Sequence, residues 1–156
     1  MLFRSVADVV RDAGHAGVQA ELKGVDIEAV KGFREEIVAK KFKGLQGLIK
    51  AKGVPVFEGT GRLTSPTTVQ VGDTTLEATN VVLATGSFSK TLPGLTIEGR
   101  VITSEQALQL DWIPRHVIVL GGGVIGVEFA SVWRGFGSEV TIIEGLPHLV
   151  PNEEES

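Results

Sequence analysis

The chain contains no cysteine. That excludes structural disulfides, thiolate metal sites and any dithiol chemistry carried by these residues themselves. No apolar run approaches the length of a membrane span. The opening residues Met1-Leu2-Phe3-Arg4-Ser5 turn polar too early for a signal peptide, so the default expectation is a cytoplasmic protein with no membrane partner. Positive charge is not in excess: 15 Lys and Arg against 19 Asp and Glu leave a formal net charge of −4. No general affinity for nucleic acid follows from that balance. Internal repeats and low-complexity tracts are also missing.

What is present is ordinary for a globular chain of one domain or two small pieces: 156 residues, 42% hydrophobic and 22% charged. Glycine is abundant, at 20 residues, which fits loops that need close backbone approach or positive φ.

The informative stretch runs from Arg115 to Glu144. His116 to Leu120 is a short, β-branched apolar run that reads as a buried strand. Gly121, Gly123 and Gly126 follow at the G-x-G-x-x-G spacing. Gly121 permits a sharp exit from the strand, Gly123 lets a pyrophosphate approach bare backbone, and Gly126 lets the next helix pack tightly on the strand. A helix over Val124 to Phe136 would aim its free N–H groups and positive dipole end at the phosphates. Gly137 is its expected stop. Val140 to Ile143 forms a second apolar run ending in Glu144, 18 positions after Gly126. A carboxylate there suits the hydroxyls of an adenosine ribose and repels a 2′-phosphate, which favours NAD(H) over NADP(H). A bare G-x-G-x-x-G is equally a tight strand-to-helix turn; the strand, helix and distal acid around it are what make the dinucleotide reading.

Elsewhere the pattern predicts a helix over Val6 to Ala13 stopped by Gly14, and a weakly alternating, extended Val18 to Leu22. Asp26 is expected to cap a long helix running to about Lys52. Ile27, Val30, Phe33, Ile37, Val38, Phe42, Leu45, Leu48 and Ile49 recur at spacings of three and four, predicting one buried stripe. Lys31, Arg34, Lys40, Lys41, Lys43, Lys50 and Lys52 on the same helix read as a solvated face. Strands are expected at Val54 to Glu58 and Asn80 to Ala84, with a hairpin of Thr68 to Val71 and Thr75 to Ala78 around Gly72-Asp73. Ser104 is expected to cap a short helix over Glu105 to Leu110. Asn152-Glu153-Glu154-Glu155-Ser156 resembles the first turn of a further helix, capped by Asn152.

Several of these stretches together resemble the flavoprotein disulfide reductases, and within them the dihydrolipoamide dehydrogenase branch. The matching pieces are Val82-Leu83-Ala84-Thr85-Gly86-Ser87, Leu92-Pro93-Gly94, Ser104-Glu105-Gln106-Ala107-Leu108 and Ile113-Pro114. Gly121-Gly122-Gly123-Val124-Ile125-Gly126-Val127-Glu128 and Gly137 to Pro151 complete the set. The resemblance implies an electron path from dihydrolipoamide through a redox disulfide and FAD to NAD. It places Thr85, Gly86 and Ser87 on a second FAD signature and Gly61 at an adenine-side backbone contact, with Gly59 helping the same turn. It assigns Gly121, Gly122, Gly123, Val124, Ile125, Gly126, Val127 and Glu144 to the NAD side. It puts Glu128 near the meeting point of nicotinamide and flavin. In the full enzyme it further implies a homodimer that serves the lipoyl domain of 2-oxoacid dehydrogenase complexes.

The departures matter equally. The family's first FAD-binding glycine motif, its redox cysteines and its C-terminal domain with a catalytic His and Glu have no counterpart here. His15, His116 and His148 do not replace that base; no catalytic residue and no metal ligand is assigned. The expectation is therefore an internal fragment: 1–87 the latter part of an FAD-binding domain, 88–114 a connection, and 115–156 the first βαβ of an NAD-binding domain. The expected fold class is α/β, with Rossmann-like parallel sheet units and an antiparallel β-meander, incomplete. Poor burial predicts marginal stability, and the isolated chain is not expected to turn over. Mercuric reductase, glutathione reductase, soluble transhydrogenase or a non-catalytic NAD-binding module are the alternative functions.

Overall fold

The computed structural model describes residues 2–151. The helical turn expected over 152–156 lies outside the described residues. The chain divides into two compact units, one built from residues 1–36 and 91–156, the other from residues 37–90.

In the first unit, α1 (Leu2–Asp12) continues into a 3-10 turn, Ala13–Ala16. The stop is Gly17, not Gly14. The last turn tightens, and Gly17 takes the left-handed φ of 77° that closes it, its N–H donating to Gly14 O at 3.0 Å. Val18 to Leu22 is irregular, because no neighbouring strand pairs with it among the described residues. Asp26 caps α2 (Ile27–Ala51), of which residues 27–36 belong to this unit and 37–51 to the second, as the sequence predicts: its carboxylate accepts the Ala29 N–H at 3.1 Å.

The expected buried stripe of α2 is not buried; no residue of the helix is. Phe42, Leu45 and Leu48 are each more than half exposed. At about 100° per residue, Arg34 and Lys41 fall inside the apolar sector, so the stripe is interrupted. Periodicity states which side prefers cover; it does not supply the cover.

The first unit continues with α3 (Ser104–Ala107), capped by Thr103 rather than Ser104. Thr103 Oγ1 accepts the Gln106 N–H, and Gln106 Oε1 accepts the Thr103 N–H at 2.8 Å. This reciprocal capping box shifts the helix start by one residue and outcompetes the simpler Ser104 cap. The Arg34 guanidinium, within the same unit, donates to Leu108 O.

Next come β4 (His116–Leu120), α4 (Val124–Phe136) and β5 (Glu139–Ile143). The two strands pair in parallel, from His116↔Glu139 to Leu120↔Ile143. α4 ends on Gly137 at φ 102°, with Gly137 N–H donating to Arg134 O and Ser138 N–H to Trp133 O. Both bonds satisfy carbonyls the helix leaves free. Ser138 is fully buried and donates its Oγ proton to Pro114 O at 2.6 Å, fixing the return strand beside the entry to β4.

The small core lies where α1 packs on α4: Ala7, Ala130 and Trp133 are buried. Trp133 meets Phe136 edge to face, ring centroids 6.2 Å apart. The Arg11 guanidinium reaches Gly135 O at the C-terminal end of α4, where a cation opposes the helix dipole. One face of the β4–β5 pair stays open, with Ile118, Leu120 and Ile143 each about half exposed or more.

The second unit holds the antiparallel meander β1 (Gly61–Ser65), β2 (Thr68–Val71) and β3 (Thr74–Glu77), in that order. The hairpin falls where Gly72-Asp73 predicts it. Gly72 adopts φ 56°, the sign a two-residue loop needs at its first position, and Val71 pairs with Thr74. The meander takes its first strand from Gly61–Ser65 and not from Val54 to Glu58, which is irregular. Asn80 to Ala84 is irregular as well, with Val82 85% exposed. Both runs have strand-like composition, but a strand exists only by pairing, and neither finds a neighbour among the described residues.

Candidate dinucleotide-binding site

The site is built by the turn from β4 into α4. Gly121 takes φ 103°, open to glycine and closed to most side chains, while its N–H still donates to Ile143 O at 2.9 Å. Gly123 is the N-cap of α4 and offers no side chain to its first turn. A Cβ placed there would meet nothing within 4 Å, so the space beside its backbone is open. Val124 and Ile125, in the first turn, are exposed. Their N–H groups belong to the set a helix cannot satisfy internally. A Cβ on Gly126 would collide with the Gly121 carbonyl oxygen and stand 3.2 Å from Val119 Cγ1. Gly121 and Gly126 are therefore required by the fold itself, the one for its φ and the other for its close contact, whereas Gly123 leaves open space over the helix start.

Gly122 and Glu144 are brought together. The buried Gly122 N–H donates to Glu144 Oε2 at 2.6 Å, and the Leu146 N–H donates to Glu144 Oε1 at 2.9 Å. The Gly122 amide, then the Leu146 amide, hold the carboxyl below its ordinary value of 4.5, against a smaller opposing effect of burial. The Gly122 carbonyl is also taken: it accepts the Val150 N–H at 2.7 Å. Leu149 and Val150, which the glycine fingerprint does not include, close on this loop. Two apolar residues inside the Pro147 to Pro151 loop were the available signal.

The other predicted residues are less assembled. Val127 lies in the α4 first turns, its N–H donating to Gly123 O, and Glu128 is exposed with no side-chain hydrogen bond among the described residues. In the second unit, Gly61 begins β1 opposite Val71. Thr85, Gly86 and Ser87 are exposed and irregular, with Gly86 at φ 81°, and no hydrogen bond joins them to Gly61 among the described residues. His116 Nε2 lies 3.0 Å from Glu139 Oε2, both exposed at the far end of the strands from the glycine loop. Among the described residues no group of three His, Cys, Asp or Glu is placed to hold a metal ion. No helix there is long and apolar enough to cross a membrane.

A parallel β-strand, a glycine turn, a helix opened by bare backbone and an acid closing the adjacent strand define a dinucleotide-binding α/β unit. The chain belongs to the pyridine nucleotide-disulphide oxidoreductase family, whose model matches residues 5–156. It is similar to a dihydrolipoyl dehydrogenase of Chlamydia pneumoniae, 38% identical over 96% of this chain and 34% of that protein. A dihydrolipoamide dehydrogenase of Chaetomium thermophilum is 37% identical over 90% of this chain and 29% of its own length. Among solved structures, the Cu(II) complex of the HOCl-induced flavoprotein disulfide reductase RclA from Escherichia coli superposes with a TM-score of 0.66 at 26% identity. That match covers 98% of this chain and 34% of that one. The chain thus spans about a third of the length of the relatives it matches.

Proposed function

We propose that residues 115–156 bind the adenosine diphosphate half of NAD(H), as part of an NAD-linked flavoprotein oxidoreductase of the dihydrolipoyl dehydrogenase kind. The observation that carries this reading is the Glu144 carboxylate closing β5 against the Gly122 amide, beside the open backbone of Gly123. The diphosphate would lie over Gly123 and the N–H groups of Val124 and Ile125, where bare donors and the helix dipole favour negative charge. Glu144 would accept the ribose hydroxyls with the lone pairs its two backbone bonds leave free.

On the flavin side, Gly61, Thr85, Gly86 and Ser87 are the residues that would lie along FAD, and Glu128 would stand where nicotinamide meets it. Bound FAD would pass two electrons between a dithiol substrate and the nicotinamide. The division into a flavin side over 1–87, a connection over 88–114 and an NAD side over 115–156 belongs to the same proposal, as do a homodimer and a lipoyl-domain partner. With no cysteine, the chain supplies none of the dithiol chemistry itself, and this observation keeps a second reading in play: an NAD-binding module that does not turn over.

Titration with NADH and NADPH tests the core of the proposal. NADH should bind the tighter of the two. Glu144→Ala should weaken NADH roughly tenfold or more and narrow the difference, since a carboxylate–hydroxyl pair is lost. Equal affinity for the two nucleotides in the unaltered chain would refute it. Flavin-dependent NADH–lipoamide turnover by the chain would decide against the second reading.

A further inference from the structure

Val150 is the one non-glycine residue with positive φ among the described residues, at 47°. A β-branched side chain is the least suited to that region, and such outliers persist where the surrounding contacts demand them. The contact here is explicit. The Val150 N–H donates to Gly122 O at 2.7 Å, so the peptide groups of Gly122 are held on both sides, by Glu144 and by Val150. The preceding residue closes the same place sterically: a Cβ on Gly122 would lie 2.5 Å from Leu149 Cδ2. Gly122 therefore has no free N–H to offer a phosphate, whereas the backbone of Gly123, one residue on, is open.

From this we infer that Leu149 and Val150 form a strap that positions the glycine loop, and that Val150 acts as a positioning residue for nucleotide binding through its backbone N–H. The inference rests on the nucleotide-binding reading above and adds a division of labour within the loop. Gly122 is the anchored residue, tied to β5 and to the strap. Gly123 and the first turn of α4 are the presented residues. The strap holds the anchor so that the presented amides keep a single orientation before any diphosphate arrives, which lowers the ordering cost of binding.

The test compares Val150→Gly with Val150→Pro by NADH titration, alongside amide hydrogen exchange and 1H–15N spectra of each. Glycine accepts φ 47° without strain and keeps the N–H, so Val150→Gly should bind NADH within about twofold of the unaltered chain. Proline removes the N–H and cannot adopt that φ, so Val150→Pro should weaken NADH roughly tenfold, with displaced resonances confined to Gly121 to Gly123 and the strap. In the unaltered chain the Val150 amide should exchange slowly. Unchanged NADH affinity in Val150→Pro would overturn the inference, and so would an equal loss in Val150→Gly. If the unaltered chain ignores NADH, the nucleotide reading fails and not the strap. The strap then stands or falls on whether the Val150 amide is protected and the Gly122 resonance moves in Val150→Pro. Should Val150→Pro fail to fold, the Val150→Gly affinity and the exchange rate still decide.

Discussion

Gly126→Ala should destabilise the chain although alanine is the better helix former. In an exposed helix interior, Gly→Ala gains about 1 kcal/mol. Position 126 opposes that gain. The added Cβ would overlap the Gly121 carbonyl oxygen, which is backbone and cannot rotate aside, and would press on Val119 Cγ1 at 3.2 Å. α4 must lift off β4 to make room, and overpacking of this kind costs about 1–3 kcal/mol, occasionally more. The net expectation is a loss of up to about 2 kcal/mol, or up to roughly 8 °C in Tm for a chain of this size.

Two controls fix the sign. Gly47→Ala, on α2 with nothing within 4 Å of the new methyl, should stabilise by about 1 kcal/mol. Gly122→Ala would put a methyl 2.5 Å from Leu149 Cδ2, which can turn away, and 3.1 and 3.2 Å from Glu144 Oε2 and Cβ, which must give by a few tenths of an ångström, so its cost should fall below that of Gly126→Ala. Urea unfolding followed by circular dichroism reads all three. If Gly126→Ala were as stabilising as Gly47→Ala, the close helix–strand contact assigned to Gly126 would be wrong.

The remaining predictions concern acid and heat. The Glu144 carboxyl is held below its ordinary value by the Gly122 and Leu146 amides, so its contribution to stability is present above the unfolded-state value. That contribution is lost only as pH falls through the lower folded-state value. NADH affinity should therefore be flat from pH 8 down to about pH 5, and 13C titration of the Glu144 carboxyl should show a midpoint below 4.5; a midpoint at or above it would contradict the amide contacts. Thermal denaturation should begin near ambient temperature with a broad transition, because the buried apolar core among the described residues is limited to Ala7, Ala130 and Trp133. A sharp transition well above ambient would refute that.

The predicted features that the structure bears out are those whose causes lie close together in the chain. The hairpin at Gly72-Asp73, the Asp26 cap and the Gly137 stop each depend on a glycine or a short polar side chain acting within a few residues. The pairing of Leu120 with Ile143 needs only the lengths of β4, α4 and β5. What stayed hidden depends on distant partners. Val54 to Glu58 and Asn80 to Ala84 have the composition of strands, but composition does not name a neighbour. The stripe on α2 carried its own warning in Arg34 and Lys41. The packing of α1 on α4, with Arg11 reaching a carbonyl 124 residues away, had no local signature.

That contrast explains why the glycine turn between β4 and α4 is well formed in a unit with so little core. A parallel strand pair is normally covered on both faces, yet Ile118, Leu120 and Ile143 are exposed here. Bare strand faces weaken global stability, which sums over the whole unit. They do not disturb the glycine turn, which is set by the φ of Gly121, by the steric contact under Gly126 and by hydrogen bonds to Ile143, Glu144 and Val150. All of these constraints fall within residues 119–150. Covering the open face should therefore raise stability far more than it alters the loop. Substitutions at the loop contacts should do the reverse wherever they leave the helix–strand packing intact.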